Sequence, residues 1–275
     1  MYDRSSRAPA IYAHRGSSIM APENTLPAYE WALEHGSDVL ETDIRLSRDG
    51  CLFMFHDEHL ERTTDGNGRV ADTMSSSLKR LNAAAHFARP GEQLVRPWRV
   101  SLLTLEELFA SYPAVRINID IKDNSKDAAN ELIRLIEQFG RYELTTVGSF
   151  YRDVMVYLRN KAPTIRTAAV KEEVAQIYFG RFAGPIKPDC AKPVDAKTRP
   201  QPFEALQIPT SWHGIRLATP AFVRFGQQLG YEMVYWTIND EHTMKRLQSI
   251  GVDGVVTDRP DIAHQVFTGK KLTAN

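Results

Sequence analysis

Short apolar stretches alternate along the chain with longer stretches in which apolar residues recur every three or four positions. The short stretches are typical of buried β-strands, and the longer ones are typical of amphipathic helices. Positions 132, 133, 135, 136 and 139 are apolar, which predicts a helix over 127–139 that ends at Gly140. The pattern predicts strands at 10–13, 39–46, 52–55, 115–121, 145–150, 165–170, 205–208, 233–238 and 254–257, and further helices from Asn24 or Thr25 to His35 and over 105–112, 152–161, 220–229 and 241–250.

This alternation favours an α/β fold with a parallel sheet, because parallel strands need long crossover connections. An open doubly wound sheet and a closed (β/α)8 TIM barrel both satisfy the pattern. The number of repeats and the length of 275 residues favour the barrel. Neither GxGxxG nor GxxxxGK[ST] follows the first strand, which counts against a dinucleotide site or a P-loop. We therefore predict a single barrel domain over 1–275.

Two segments interrupt the alternation. The segment 57–103 is too long for a simple strand-to-helix loop, and it contains a short helical pattern around 77–87. We predict that it is an insertion after the third strand, which forms a lid or small subdomain over one face of the barrel. The segment 182–201 is rich in proline and lysine and is predicted to be an irregular loop.

A tight turn joins the second and third predicted strands, since only residues 47–50 separate them. So short a connection makes these two strands an antiparallel hairpin. If the Asp-Gly pair in the turn is a two-residue loop, Asp43 lies opposite His56. Glu41 shares the face of Asp43 because side chains alternate along a strand. The pattern predicts either a solvated polar patch or, since the flanking residues are apolar, carboxylates that hold a hard divalent cation.

Polar residues also follow two other predicted strands. His14 and Arg15 come directly after the first strand, and Asp120 and Lys122 lie two positions apart where the fourth one ends. Functional residues of (β/α)8 barrels gather at the carboxyl ends of the strands, so we expect these four to join the two hairpin carboxylates. Trp236 ends a later strand and is predicted either to form an apolar wall of the site or to pack inside the barrel.

Composition narrows the function classes. Lys and Arg total 34, as do Asp and Glu, so the net charge is zero and no basic excess indicates nucleic-acid binding. No secretory h-region and no run of about 18 apolar residues is found, so we expect a cytoplasmic protein without stable membrane insertion. The two cysteines, Cys51 and Cys190, are too few for a disulfide framework, and Cys51 is predicted to be buried. The oligomeric state stays open.

Seven motifs, taken together, resemble the glycerophosphodiester phosphodiesterase family in their order and spacing from residue 10 to about 262. They are AHRG at 13–16, APENT at 21–25, ETD at 41–43, FHDEHLERTTDGNG at 55–68, NIDIK at 118–122, YWTIN at 235–239 and GVDGVVTDRP at 251–260. The resemblance implies a TIM barrel with an insertion after the third strand. It also implies hydrolysis of a glycerophosphodiester to sn-glycerol 3-phosphate and an alcohol, with a Ca²⁺ or Mg²⁺ ion as cofactor.

The resemblance further implies roles for individual residues. Many members of the family carry Glu where this chain has Asp120, whose side chain is one methylene shorter, so a bridging water can replace direct ligation there. The matching positions are Glu41, Asp43 and Asp120 for the metal, His14 and His56 for catalysis, and Arg15 and Lys122 for the phosphate.

These residue types suit phosphodiester hydrolysis. A divalent ion with Arg15 and Lys122 would neutralise the charge that develops on the phosphoryl oxygens. Two histidines, with an ordinary pKa of about 6.5, suit a base and an acid, but the sequence does not decide which is which. The nucleophile is water or the substrate's own 2-hydroxyl, through a cyclic phosphate. A lysophospholipase D, favoured by an apolar rim on the insertion, and a non-catalytic barrel that binds a metal or a phosphorylated ligand are the alternatives.

Overall fold

Strands and helices alternate through the whole of the described chain. The computed structural model describes residues 8–89, 91, 99–181 and 203–270. The strands are β1 (Ala10–Ala13), β2 (Val39–Leu46), β3 (Leu52–Met54), β4 (Arg116–Ile121), β5 (Thr145–Gly148), β6 (Arg166–Thr167), β7 (Ala205–Pro209), β8 (Ser211–Trp212), β9 (Ile215–Arg216), β10 (Glu232–Trp236) and β11 (Gly254–Thr257). The helices are α1 (Leu26–Glu34), α2 (Ser75–Leu78), α3 (Leu105–Ser111), α4 (Lys126–Gln138), α5 (Arg152–Lys161), α6 (Lys171–Gly180), α7 (Pro220–Gln228), α8 (Glu241–Ser249) and α9 (Pro260–Thr268), with 3₁₀ turns at His14–Gly16 and Val70–Asp72.

Eight parallel strands form the barrel, in the order β6-β5-β4-β2-β1-β11-β10-β7. The two ends of this order meet where Ala168 forms a parallel bridge with Ala205. The amide of Ala169 donates to the carbonyl of Ala205 at 2.8 Å, and the amide of Glu204 donates to the carbonyl of Thr167 at 2.9 Å. The closed (β/α)8 barrel that the sequence favoured over an open sheet is confirmed.

The hydrophobic core lies between the barrel and its helices. One cluster packs α1, α3, α4 and α5 against β1, β2, β4 and β5, and a second packs α6 to α9 against β7, β10 and β11. Helix α4 shows the physical basis most clearly, since its buried residues Ala128, Ala129, Leu132, Ile133, Leu135 and Ile136 form one apolar stripe. Helices α6 and α9 were not among the predicted elements.

The β2–β3 hairpin is antiparallel, as predicted, but its predicted register is wrong by one residue. Arg45 pairs with Phe53, and the amide of Phe55 donates to the carbonyl of Asp43, so Asp43 lies opposite Phe55 and not His56. The turn has three residues and not two, because the amide of Gly50 donates to the carbonyl of Ser47 and Gly50 adopts a φ of +85°. This combination is the common three-residue hairpin turn, in which glycine supplies the left-handed position.

The segment between β3 and α3 has its own small core, in which Leu60, Val70 and Leu78 pack with Phe53 and Phe55 of the hairpin strand. The helix predicted around 77–87 is wrong in extent, since α2 ends at Leu78 and turns follow it. Cys51, predicted to be buried, is half-buried. The predicted loop at 182–201 lies outside the described residues. Within the described ranges, no helix is both long enough and apolar enough to cross a membrane.

Candidate active site

All eight predicted site residues line one cavity of about 440 Å³ at the carboxyl ends of the barrel strands. The side chains of β2 and β4 that enter it follow from their parallel register, in which Glu41 pairs with Asn118 and Asp43 pairs with Asp120. Because strand residues alternate in direction, both pairs face the barrel interior. The eight residues are His14, Arg15, Glu41, Asp43, His56, Asp120, Lys122 and Trp236.

Lys122 joins the carboxylates of the two strands. It directly follows β4, and its Nζ atom lies 3.0 Å from Oδ1 of Asp43 and 2.6 Å from Oδ2 of Asp120. The opposing charges of both carboxylates raise the pKa of Lys122 although burial opposes this, so the side chain is charged. Its ammonium therefore lies between the carboxylates of Asp43 and Asp120.

Arg15 is positioned by an unusual backbone conformation. It follows β1 with φ 50° and ψ 29°, a left-handed conformation that turns its backbone amide towards Glu41 Oε2 at 3.0 Å. Its guanidinium forms ion pairs with Asp43, through Nε at 3.1 Å, and with Glu23, through Nη1 at 3.0 Å. Gly16 follows with φ +85°, and a Cβ there would lie 2.8 Å from the Cβ of Ala28, so only glycine fits between this turn and α1.

His14 is oriented by a carboxylate from the far end of the chain. Its Nδ1 lies 2.7 Å from Oδ1 of Asp258, which directly follows β11. Asp258 also accepts hydrogen bonds from the hydroxyl of Ser18 at 2.6 Å and from the amide of Asn239 at 2.7 Å. Burial opposes ionisation of Asp258, but these bonds and the charge of His14 hold its pKa below the ordinary value.

Because an ionised carboxylate can only accept, Nδ1 of His14 carries the hydrogen and Nε2 is left for a ligand. Burial lowers the pKa of His14, but the hydrogen bond with Asp258 and the charges of Glu41 and Asp258 outweigh it and raise that pKa overall. His14 is therefore a stronger base than a free imidazole.

His56 is held in the same manner by its neighbour in sequence. Its Nδ1 lies 2.6 Å from Oδ1 of Asp57, and the pKa of Asp57 falls to about 2 because hydrogen bonds from Arg62 and His56 outweigh burial. Arg62 bonds both oxygens of Asp57 and donates to both oxygens of Glu23, at 2.8 and 2.7 Å. Since Glu23 also pairs with Arg15, the Arg62 guanidinium connects the surroundings of His56 with those of Arg15.

Asn24 is a buried hydrogen-bond partner of Asp43. Its Nδ2 donates to Oδ2 of Asp43 at 3.2 Å, while its Oδ1 accepts from the hydroxyls of Thr42 and Tyr29. Of the two residues considered for the start of the helix, Thr25 and not Asn24 occupies the N-cap position of α1. These bonds fix which end of the Asn24 amide faces the carboxylate.

The three carboxylates differ in their tendency to ionise. Burial and the charge of nearby Asp43 raise the pKa of Glu41. Burial also raises the pKa of Asp120, against the charge of Lys122. For Asp43, burial acts in the same direction, but the charges of Lys122 and Arg15 prevail and lower its pKa.

The same three side chains are the ones that could hold a divalent cation. They offer only carboxylate oxygens, which are the ligands that Ca²⁺ and Mg²⁺ prefer. Oδ1 of Asp120 is buried and has no hydrogen-bond partner, an arrangement that a cation would relieve. Over the described ranges no three His, Cys, Asp or Glu side chains already stand as a complete ligand set. The donor chemistry fits a hard cation, and Lys122 competes with it for Asp43 and Asp120.

Asp258 was not predicted as a site residue, although period two along β11 places residues 254, 256 and 258 on one face, as it does for Asp120 and Lys122. Three aromatic residues that line the cavity, Phe150, Phe179 and Trp212, were not predicted either. For Trp212 a signal existed, since the His-Gly pair between Trp212 and Ile215 forms a two-residue hairpin turn with positive φ at both positions. For Phe150 and Phe179 no local signal distinguishes them from core residues.

Comparison with known proteins agrees with this geometry. A glycerophosphodiester phosphodiesterase from Caldanaerobacter subterraneus is 28% identical over 91% of this chain and 94% of its own length. The glycerophosphoryl diester phosphodiesterase domain of a Mycobacterium tuberculosis protein superposes with a TM-score of 0.78 at 20% identity, over 94% of this chain and 98% of that one. An Oleispira antarctica phosphodiesterase, solved in complex with the product sn-glycerol-3-phosphate, has a TM-score of 0.71 at 24% identity, over 96% of this chain and 98% of that one.

The sequence pattern of one family covers most of the chain, from the residue after β1 into α9. The sequence model of the glycerophosphoryl diester phosphodiesterase family matches residues 14–262. This span contains every predicted site residue, together with Asp258. The chain therefore belongs to the glycerophosphoryl diester phosphodiesterase family.

Proposed function

We propose that the protein hydrolyses a glycerophosphodiester to sn-glycerol 3-phosphate and an alcohol. The observation that carries the proposal is the pair of histidines, His14 and His56, each of which is bonded through Nδ1 to a carboxylate. The same cavity is lined by two cationic side chains, Arg15 and Lys122. Two imidazoles with free Nε2 atoms suit a reaction that needs both a base and an acid. The product-bound Oleispira antarctica relative has the same fold and supports this choice of substrate.

The residues divide the reaction between them. Arg15 and Lys122 bind the phosphoryl oxygens and neutralise the charge that develops there. Nε2 of one histidine takes the proton of the attacking hydroxyl, which belongs to water or to the 2-hydroxyl of the glycerol. Attack by the 2-hydroxyl releases the alcohol and forms a cyclic phosphate, which a water molecule then opens to sn-glycerol 3-phosphate. Nε2 of the other histidine donates a proton to the oxygen of the leaving alcohol as its bond to phosphorus breaks. The carboxylates at Nδ1 stabilise whichever imidazole is protonated.

Substitution of the two histidines tests this assignment. His14→Ala and His56→Ala should each lower kcat by about 10² to 10⁴-fold, the range typical of general acid–base groups. His242→Ala, which removes an exposed imidazole on α8, is the control and should leave kcat unchanged. Turnover is followed by release of sn-glycerol 3-phosphate in a coupled assay. Near-normal kcat in either site variant, with an unchanged unfolding midpoint, would contradict the assignment, and a wild type that releases no product would favour a non-catalytic barrel.

We also propose that Glu41, Asp43 and Asp120 hold a divalent cation, Ca²⁺ or Mg²⁺. When bound, the ion adds positive charge next to the phosphoryl oxygens. Two observations support the proposal. Oδ1 of Asp120 is buried and has no hydrogen-bond partner, and burial next to Asp43 raises the pKa of Glu41, so a cation here would complete the first and favour ionisation of the second. The chain's own part in this is to present the three carboxylates from the adjacent strands β2 and β4.

Thermal unfolding tests the cation independently of turnover. A ligand at 100 times its Kd stabilises the folded state by about 2.7 kcal/mol, so chelator-treated protein should gain several degrees in Tm when Ca²⁺ or Mg²⁺ is added. Asp43→Asn should abolish the gain, whereas Glu241→Gln, on the outside of the barrel, should preserve it. If neither ion at millimolar concentration shifts the Tm of the wild type, the cation proposal is wrong.

A further inference from the structure

The cavity has two halves of different chemistry. The barrel order places β4, β2, β1 and β11 side by side and β10, β7, β6 and β5 across from them. The charged and imidazole side chains of the site come from the first side, which we call the phosphate half. The second side, which we call the apolar half, is lined mainly by Phe150, Val174, Phe179, Trp212, Ile215 and Trp236. Asn118 and Gln207 bond each other reciprocally between the halves.

Three aromatic side chains of the apolar half are exposed to solvent. Phe150 is 61% exposed, Phe179 54% and Trp212 46%, and all three line the same cavity. They come from three separate elements, since Phe150 follows β5, Phe179 lies in the last turn of α6, and Trp212 ends β8. Exposed aromatic residues that converge from unrelated elements on one cavity are typical of a binding site for an apolar ligand.

The apolar half is continuous with the phosphate half. The ring of Phe150 lies 5.6 Å from Nζ of Lys122, so a ligand on this wall begins where the phosphoryl group is bound. Lys171, the first residue of α6, is a charged residue that lines the apolar half, and its ammonium lies 3.7 Å from the carboxylate of Glu172. Against these side chains a polyol or charged head group would find few hydrogen-bond partners from the protein, whereas a hydrocarbon chain would remove apolar surface from water.

We propose that the protein accepts phosphodiesters that carry a hydrocarbon chain, and that the apolar half of the cavity binds this chain. The proposal rests on the proposed phosphodiesterase function and names a substrate class for it. Two kinds of molecule share the chemistry, a lysophospholipid with its chain on the glycerol and an alkyl diester with its chain on the leaving alcohol. The rim that favours such a substrate lies on α6, β8 and the β5–α5 connection and not on the segment 57–103.

Chain-length dependence of turnover tests the proposal. The first series is glycerophosphomethanol, -butanol and -octanol, and the second is glycerophosphocholine beside its butanoyl and octanoyl lysophospholipids, all below their critical micelle concentrations. One fully buried methylene is worth about fourfold in affinity, so kcat/KM should rise at least tenfold from the four-carbon to the eight-carbon chain in the series that fits. The series that shows the rise identifies which end of the substrate carries the chain. A flat response in both series, with the short diesters hydrolysed, overturns the inference and leaves the phosphodiesterase function intact.

Neighbouring aromatic residues provide the matched variants. Phe150→Ala, Phe179→Ala and Trp212→Ala should each lower the ratio of kcat/KM for the octyl substrate to that for the methyl substrate at least fivefold. Tyr151→Ala, which removes an aromatic residue that is 41% exposed but does not line the cavity, should leave the ratio unchanged. An equal effect of Tyr151→Ala and Phe150→Ala would overturn the inference. Unfolding midpoints of all four variants identify any that lose their fold.

A binding measurement keeps the inference testable even if no diester is hydrolysed. Octylphosphocholine and phosphocholine are titrated into the wild type by calorimetry. The octyl compound should bind at least ten times more tightly, with a negative ΔCp that reports burial of apolar surface. Equal affinity of the two compounds would overturn the inference.

Discussion

At the scale of single residues, the carboxylate partner of each histidine determines which ring nitrogen is left for a ligand. Asp258 bonds Nδ1 of His14, and Asp57 bonds Nδ1 of His56. The two carboxylates come from opposite ends of the sequence, one from the end of β11 and one from the residue after His56 itself. Both imidazoles are therefore presented through the same nitrogen, which lets either ring work as a base or as an acid.

Asp258→Asn should lower the pKa of His14 towards its value in a free imidazole, because the neutral amide removes both the charge and the obligate acceptor. We expect kcat/KM to fall about ten- to a hundredfold, the effect usual for an orienting partner of a functional histidine. In the pH profile of kcat/KM, the limb that belongs to His14 should move to lower pH. Asp261→Asn, in the same stretch but paired with Arg259, is the control.

The same variant has a pH-dependent effect on stability. The pKa of His14 is raised above its ordinary 6.5, so the pairing stabilises the fold below that pH and its contribution is lost as pH rises through the folded pKa. The pKa of Asp258 is lowered from 3.8, so its contribution is lost as pH falls through the folded value. The unfolding free energy of Asp258→Asn should therefore differ from that of the wild type more at pH 5.5 than at pH 9. The opposite order would contradict a charged pair.

The residues of the site were largely predictable, and the reasons differ among them. Period two is a local property, so Glu41 and Asp43 could be placed on one face of β2, and Asp120 and Lys122 on one face at the end of β4, without any knowledge of the fold, whereas the meeting of the two pairs was expected only from the barrel. Phe179 could not be found in this way, because its place at the cavity depends on how α6 packs on the barrel. The catalytic roles of the histidines and the metal-binding roles of the carboxylates stay predictions.

At the scale of elements, Arg62 links the segment after β3 to the loop before α1. It bonds Asp57 on its own segment and Glu23 on the loop, and through them it reaches the surroundings of His56 and Arg15. Arg62 does not line the cavity, so its removal would break both links without removing a lining side chain. We therefore propose that Arg62 is a positioning residue.

Arg62→Met should lower kcat about ten- to a hundredfold, because small displacements of reacting groups have effects of this size. Arg69→Met is the matched control, since Arg69 is equally exposed on the same segment and pairs only with the surface residues Glu58 and Asp72 among the contacts seen there. Its kcat should stay within twofold of the wild type. Steady-state kinetics and the unfolding midpoint are measured for both. If the two variants lose equal activity, the link through Glu23 and Asp57 has no positioning role.

The β2–β3 hairpin shows why the exact length of a turn is harder to predict from the sequence than the turn itself. An Asp-Gly pair is compatible with both two-residue and three-residue turns. The choice here is stabilised by Asp49, whose carboxylate accepts from the backbone amide and hydroxyl of Ser75, a residue far along the chain. His56 still reaches the cavity because the last ladder bond of the hairpin runs from the amide of Phe55 to the carbonyl of Asp43, so His56 lies beyond the ladder.

At the scale of the whole molecule, the barrel wall is uneven. β2 and β4 pair from Val39–Arg116 to Ile44–Ile121, whereas β6 and β7 meet through the bridge between Ala168 and Ala205. We call the junction between β6 and β7 the seam. Closure of the barrel there depends on tertiary packing more than on a long strand ladder. Sequence pattern predicted the strands on both sides of it but not their contact, since an open sheet would have the same pattern.

Amide hydrogens at the seam should exchange faster than those in the β2–β4 ladder, because fewer ladder bonds must open together. The amides of Ala169 and Glu204, which bond across the seam, should exchange at least tenfold faster than those of β4. Hydrogen–deuterium exchange read by NMR measures this residue by residue. Equal protection on both sides of the barrel would show that the seam opens only with the whole domain.

The uneven wall has a consequence for how such an enzyme can diversify. Glu41, Asp43 and Asp120 stand on β2 and β4, which share six residue pairs, whereas Phe179 and Trp212 stand on α6 and β8, the elements that follow the two strands of the seam. On the functions proposed above, substitutions near the seam would change which substrates are accepted while the reacting groups keep their spacing. Mutation and selection would then alter substrate selectivity without rebuilding the chemistry.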